Sequence, residues 1–511
     1  MITTILWLIF FNLVLLYIFL AWNFNYWKKR GVNGPKPRPF LGNFPSVFTQ
    51  KRHIACDIQE IYETYKNTDN YVGIYNCRTP LLMITNADLI KQILVKDFQH
   101  FRDNEVSTML LAPPLFQVDE NSDFTFANNL TAMKGDEWVE RRAEIVPGLV
   151  VSRLKSGFSV TSKICKKLIN YIDQENKKLG SEVTFNINDL SLRLTCEIVS
   201  DSILGQKAET FSKKNPPQIF YNTKAYAEQS FIYIVYMVLT GLIPALKRFK
   251  KLRFVRKSIE TFFVRLIHDS FKRRQQQRDQ KNRSDFLNYL LQLHEKKHLK
   301  VNELTGHAIS VLLDGYVTIS QVLAHCLLLL ARDPIRQRML FKEIIEQLGE
   351  GNDFEKISKL EYLNACIHEA IRIFPPTTFM MRICTKPAEL KTKNGEILKI
   401  ATGTTIMLPI HAVLNDSGYY AQPNAFQPER LLNGVLKRYK DKGYFVAFSN
   451  GPRACLGVNF ALVQLKGALV EIIRNFEVTV NARTRRDNQF NPIHLQSQLE
   501  GDIWLEFKKI K

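Results

Sequence analysis

The sequence predicts a mainly α-helical domain with a minor β region, preceded by one transmembrane helix. Three observations carry this reading. Residues 2–27 contain no charged side chain, residues 71–86 hold two short apolar runs around a turn, and most of the chain beyond residue 86 has helical periodicity, most clearly from Glu303 to Leu330. The chain has 511 residues, more than a single core usually needs, yet no linker or internal repeat divides it after residue 50. One large domain over residues 44–511 is therefore expected. Lys and Arg outnumber Asp and Glu by 70 to 49, a net charge of +21, which suits nucleic acid, an anionic membrane surface or an acidic protein partner. The eight cysteines are scattered with no C-x-x-C pair, which points to a reducing compartment and away from a disulfide framework or structural zinc.

Within residues 1–27, Ile5 to Trp22 is almost continuously apolar, and a helix of about 20 residues spans the roughly 30 Å of a bilayer core. Lys28, Lys29 and Arg30 follow directly, so the positive-inside tendency places the remainder on the cytoplasmic side. The run lacks a preceding basic segment and an A-x-A site, which argues for an uncleaved anchor rather than a signal peptide. Residues 28–43 form a basic, proline-rich hinge: Pro35, Pro37 and Pro39 fix φ and remove donors, as in a stiff spacer. Tyr71 to Asn86 reads as a β-hairpin turning at Arg78-Thr79-Pro80.

Phe101 to Met133 lacks periodicity and holds Pro113-Pro114, the pattern of a long loop. Trp138 and Arg142 lie four apart and share a helix face, where an indole N–H and a guanidinium together suit an anionic oxygen group. The basic stretch from Leu246 to Arg283 is first a solvated face and second a membrane-surface contact. Nucleic-acid binding lacks any supporting motif. In the long apolar run, Asp314-Gly315-Tyr316-Val317-Thr318-Ile319-Ser320 is unusual. Glycine weakens the helix there and the Thr318 hydroxyl reaches the carbonyl four residues back, so a local opening is expected. Asp333-Pro334 supplies a cap and a first-turn proline for the next helix. Glu369 and Arg372 are three apart on a helix ended by Pro375-Pro376, a pairing common on surfaces.

The chain converges on Cys455. Gly451 and Gly457 let the backbone bend past a bulky object, Arg453 brings a cation towards the sulfur, and a helix starting near Gly457 points its positive end at it. All three favour the thiolate. Such a thiolate is a nucleophile, a redox sulfur or a metal ligand; only the last uses Phe448 as a wall.

Phe448, Gly451, Arg453, Cys455 and Gly457 spell F-x-x-G-x-R-x-C-x-G, which resembles the haem-binding loop of the cytochromes P450. The resemblance extends from Pro35 to the C-terminus and looks most like an insect microsomal member of the xenobiotic and lipid-oxidising branch. It implies haem, with Cys455 as axial ligand of iron, and propionates held by Trp138, Arg142, Arg382 and Arg453; Ile145 and Pro147 fit the usual continuation of the W-x-x-x-R pair. With Phe426-Gln427-Pro428-Glu429-Arg430 downstream, Glu369, Arg372 and Arg430 match a triad that locks the haem-side core. Residues 314–320 resemble the oxygen-activating segment A-G-x-[D/E]-T-[T/S]. Gly315 and Thr318 match, whereas Val317 replaces the acid, Asp314 the small first residue and Ile319 a hydroxyl. Asp314 shares a face with Thr318 and is a candidate replacement proton donor. Leu414 and Ser417 depart from the histidine and proline often found there, with little bearing on chemistry.

The implied activity is a haem-thiolate monooxygenase in the endoplasmic reticulum membrane with its catalytic domain on the cytoplasmic face. It would act on a lipophilic small molecule with electrons from an NADPH-cytochrome P450 reductase. Lys437, Arg438, Lys440 and Lys442 offer a docking face for that reductase or for a small acidic haem electron donor. Two other readings stay open: a reductase-independent haem-thiolate isomerase or dehydratase, for which Val317 is harmless, and a non-catalytic haem protein binding a lipophilic ligand or gas.

Overall fold

The computed structural model describes residues 2–104, 124–179, 183–211, 216–227, 255–276, 283–391, 393–494 and 496–510. The apolar run folds as one helix, Ile2–Ala21, with mean hydropathy 2.5 and none of its residues buried. It is long and apolar enough to cross a membrane. At its end Arg78 donates to the Phe19 carbonyl at 3.0 Å and lies 3.9 Å from the Phe19 ring. The hinge behind it runs along the first strand, with Gly73 N–H donating to the Asn33 carbonyl at 2.8 Å. Trp27 is buried and its indole donates to the Ile74 carbonyl at 3.2 Å. Gly73 makes room for it, since a Cβ there would stand 2.4 Å from the indole.

The strands are β1 (Tyr71–Asn76), β2 (Thr79–Ile84), β3 (Val183–Asn186), β4 (Met380–Ile383), β5 (Ala388–Lys391), β6 (Ile397–Ile400), β7 (Thr405–Leu408), β8 (Phe476–Val480) and β9 (Trp504–Lys509). The predicted hairpin is β1 and β2, with Tyr71 opposite Ile84. Its turn falls at Cys77-Arg78, where Cys77 has φ +52°, two residues earlier than the proline suggested. The four-stranded sheet has the order β1-β2-β7-β4, antiparallel except for the β2–β7 pair, and carries Arg382 on β4. The other sheets are β3-β9-β8 and β5-β6.

Helices make up most of the described chain, and one of them organises the rest. Val301–Arg332 is buried on almost every face, as its apolar composition requires, and packs most extensively on Ile187–Leu204. Glu361–Ile373 and Val458–Asn475 pack against other parts of it. Its start is capped by Glu303, whose carboxylate accepts from Lys300 N–H at 2.7 Å, and Asp333 caps the following helix, Pro334–Leu348, by accepting from Arg336 N–H at 3.0 Å. The expected opening at Gly315 is absent: the helix is unbroken, because the Thr318 hydroxyl adds a 2.7 Å bond to the Asp314 carbonyl instead of displacing the backbone donor.

Part of the basic stretch also differs from expectation. Arg274, on the helix Lys257–Gln276, is buried and forms a bidentate pair with Asp285, at 3.0 and 2.6 Å, rather than facing solvent. Lys247, Arg248, Lys250, Lys251 and Arg253 lie outside the described residues, as does most of the loop predicted between Phe101 and Met133.

Candidate active site

The segment from Tyr444 to Gly457 bends twice through left-handed backbone, at Ser449 (φ +61°) and Gly451 (φ +72°), and closes with Cys455 N–H donating to the Phe448 carbonyl at 2.9 Å. Gly451 is required there, since a Cβ would stand 2.0 Å from the Leu94 carbonyl oxygen. The helix Val458–Asn475 begins directly after Gly457, as the sequence predicts.

Cys455 is exposed, yet protein surrounds it closely enough that burial pushes its thiol above the usual range. The Gly457 N–H and the Arg142 guanidinium pull it down, and the Asp314 carboxylate pushes it up. The cation that bears on the sulfur is therefore Arg142. Arg453 turns away, donating to the Arg102 carbonyl at 2.7 Å and the Met133 carbonyl at 2.9 Å, with its guanidinium 4.1 Å from the Trp138 ring. The adjacency of Arg453 and Cys455 in sequence is misleading because intervening Ala454 puts the two side chains in different directions; Arg142 reaches back to the Ala454 carbonyl at 2.8 Å.

A buried excess of positive charge surrounds this loop. Among the described residues Arg382 donates only to the Met381 carbonyl at 3.0 Å and, at a long 3.4 Å, to the Ser449 hydroxyl; burial pushes it down to about 10. Arg453 falls to about 9, first through burial and then through Arg382, Arg142 and Arg102. Against these stand Asp103, 3.4 Å from Arg453, and Asp136, 3.0 Å from Arg102 but almost fully exposed. Among the described residues the buried Trp138 indole N–H has no protein acceptor. Buried cations persist when they are paired, so this cluster fits a group that brings its own carboxylates. The two propionates of haem satisfy that condition, and the accessible sulfur satisfies the other end of the same cofactor. Arg102, Asp103 and Ser449 join the cluster with no motif to mark them.

The long helix brings Asp314 within electrostatic reach of Cys455. Gly306, Ser310, Asp314 and Thr318 recur every fourth residue and share one face. Residues 128–131 cross the first three: Asn128 packs where a Gly306 side chain would be, Leu130 N–H donates to Ser310 Oγ at 3.0 Å, and Asn129 Nδ2 donates to Asp314 Oδ1 at 3.3 Å. Beyond Asp314 the face is open, and the Asp314 side chain, although surrounded by protein, remains accessible. Burial pushes its carboxyl up to about 6, with Asn129 opposing.

Glu369 and Arg372 are fully buried, a core pair rather than the surface pair that this spacing commonly makes. Arg372 donates to both carboxylate oxygens at 2.8 and 2.9 Å, and Arg430 Nε and Gln427 N–H add bonds to Oε1 at 3.0 and 3.1 Å. Arg372 also donates to the carbonyls of Leu414, at 2.9 Å, and Pro423, at 2.6 Å. Of the basic run before the loop, Lys437, Arg438 and Lys442 are exposed, while Lys440 is half-buried against His368.

The family model described as Cytochrome P450 matches residues 32–502. The chain belongs to the cytochrome P450 family. Among similar proteins, "Probable cytochrome P450 28d1" of Drosophila melanogaster is 43% identical over 99% of both chains. "Probable cytochrome P450 28a5" from the same organism is 40% identical over 97% of both, and "Cytochrome P450 6j1" of Blattella germanica 28% over 97% of this chain and 96% of that one. This P450 is accordingly a haem-dependent monooxygenase. Its N-terminal helix fits a membrane anchor.

Proposed function

We propose that Cys455 is the axial thiolate of this P450, and that the enzyme inserts one atom of dioxygen into a lipophilic small molecule with electrons from NADPH-cytochrome P450 reductase. The observation that supports this best is an accessible sulfur enclosed by protein beside arginines that lack enough carboxylates. Bound haem supplies one-electron chemistry on dioxygen, with electron density pushed from the cysteinate. Trp138, Arg142, Arg382 and Arg453 hold and orient the propionates, and Phe448 walls the sulfur side. Glu369, Arg372 and Arg430 keep the chain around that side rigid.

Asp314 and Thr318 manage protons on the opposite side. A carboxyl raised to about 6 by burial both gives and takes a proton near neutral pH, and Asn129 fixes its direction. The acid absent at Val317 is made up by Asp314, which shares a helix face with Thr318. Anchored by Ile2–Ala21, with Lys28 to Arg30 at its end, the domain faces the cytoplasm from the endoplasmic reticulum membrane, and exposed Lys437, Arg438 and Lys442 dock an acidic electron donor.

The test is reduction under carbon monoxide with NADPH and the reductase as sole electron source. Prompt formation of the ferrous carbon monoxide complex is expected. Reduction by dithionite alone would overturn the partner assignment and favour the reductase-independent isomerase or dehydratase, the reading that Val317 supports.

A further inference from the structure

The anchor helix carries one side chain that lipid does not solvate. Of the polar side chains in Ile2–Ala21, Thr3 and Thr4 lie in the first turn and Tyr17 towards the other end, whereas Asn12 sits at the midpoint. At that depth a spanning helix meets only hydrocarbon. Asn12 Nδ2 donates to the Leu8 carbonyl at 2.7 Å. A carboxamide offers two donor hydrogens and an acceptor oxygen, so this bond leaves one hydrogen and the oxygen over, and among the described residues neither has a partner. Asn12 is exposed and lies in a groove with Leu8 and Leu16. Ile5, Leu8, Asn12 and Leu15 recur at intervals of three, four and three. That is the seam spacing of two helices wound around one another, in which a single asparagine fixes the register. The seam ends before Phe19, whose ring is overlain by the Arg78 guanidinium at 3.9 Å.

We propose that Ile2–Ala21 pairs in the membrane with the same helix of a second copy of this P450, through reciprocal hydrogen bonds between the two Asn12 side chains. Lipid tails are as apolar as leucine, so no hydrophobic force drives helices together there and a hydrogen bond between them can decide the matter. The chemistry singles out a second copy. A carboxamide is its own complement: in a parallel two-fold pair each Asn12 gives its free N–H to the other's oxygen, which satisfies both leftover groups at once. Copies inserted by the same anchor also share orientation and depth, so Asn12 of one meets Asn12 of the other, with Leu8 and Leu15 against their own counterparts. This inference rests on the membrane-spanning reading of the helix and not on the haem-thiolate reading.

The test measures energy transfer between copies of the full-length, haem-loaded enzyme that carry a donor or an acceptor monomeric fluorescent protein after Lys511. They are reconstituted together in phosphatidylcholine liposomes over a range of protein-to-lipid ratios. The wild type is expected to give saturable transfer above the level of random proximity. Asn12→Leu should weaken the association by about three- to thirtyfold, and Asn12→Gln, which keeps the carboxamide, should retain it. Because the bonds are reciprocal, a wild-type donor with an Asn12→Leu acceptor should associate no better than two Asn12→Leu copies. A wild type at the random level overturns the proposal without recourse to any variant. So does an Asn12→Leu enzyme, or a mixed pair, that associates as strongly as the wild type. Alkaline carbonate extraction of the same liposomes separates the two failures. Enzyme that stays with the lipid but shows no transfer removes the pairing alone, and enzyme that is released removes the membrane-spanning reading and the pairing with it.

Discussion

Replacing Arg372 by alanine should cost this P450 its haem through the frame rather than through any contact with the cofactor. Glu369 is fully buried, and its Oε2 has Arg372 as its only partner among the described residues, while Arg430 and Gln427 both serve Oε1. Arg372→Ala therefore strands half of a buried carboxylate, a cost of about 3–5 kcal/mol. The carbonyls of Leu414 and Pro423 lose donors at the same time, each worth about 1–3 kcal/mol if left unsatisfied. Whole domains are stable by only about 5–15 kcal/mol, so the variant should express with little haem and a much lower urea midpoint. Arg372→Lys keeps one charge near Glu369 but cannot bridge the carboxylate and both carbonyls, and should fall between the two. Haem-to-protein ratio and urea midpoint measured side by side decide the matter. An alanine variant with wild-type haem content, and stability within about 0.5 kcal/mol of the wild type, would refute the reasoning.

Arg382 has weak protein partners, so Arg382→Gln should leave the haem-free protein about as stable as before while haem passes faster to a scavenging globin; equal transfer rates would remove Arg382 from the propionate cluster. Gly451→Ala places a Cβ against the Leu94 carbonyl in left-handed backbone, and should lower stability by about 1–3 kcal/mol and reduce haem uptake, checked by the same pair of measurements. The raised Asp314 carboxyl predicts a pH effect in the haem-free protein. Its contribution to stability is fully present below the ordinary carboxyl range and is lost as pH rises through about 6. Relative to Asp314→Asn the wild type should therefore weaken between about pH 4 and 7, and parallel stability curves would contradict this. In the loaded enzyme Asp314→Asn should lower product formation far more than haem content, whereas equal losses would mark the residue as structural.

The parts of this site legible in sequence were those in which local geometry and motif coincide. The loop from Phe448 to Gly457 needs a left-handed glycine and an adjoining helix start, both written within ten residues. The long helix was readable because it is apolar all round, and the hairpin because its turn separates two apolar runs. The features that escaped depended on contacts distant in sequence. Asn129 meets Asp314 across 185 positions, and Arg142 reaches the sulfur loop across 312. Arg453 shows the converse: nearness in sequence suggested a cation at the sulfur, and backbone direction sends it to Trp138 instead. Arg274 looked solvated because its neighbours are basic, while its partner Asp285 lies beyond the end of its helix.

The central claim is that Cys455 ligates haem iron as a thiolate in a cradle of arginines. Its most direct measurement is the absorption spectrum of the dithionite-reduced carbon monoxide complex for the wild type and Cys455→Ser. A strongly red-shifted Soret band in the wild type, lost in the serine variant while folding persists, is the predicted result. The same band in both proteins, or in neither, would contradict it.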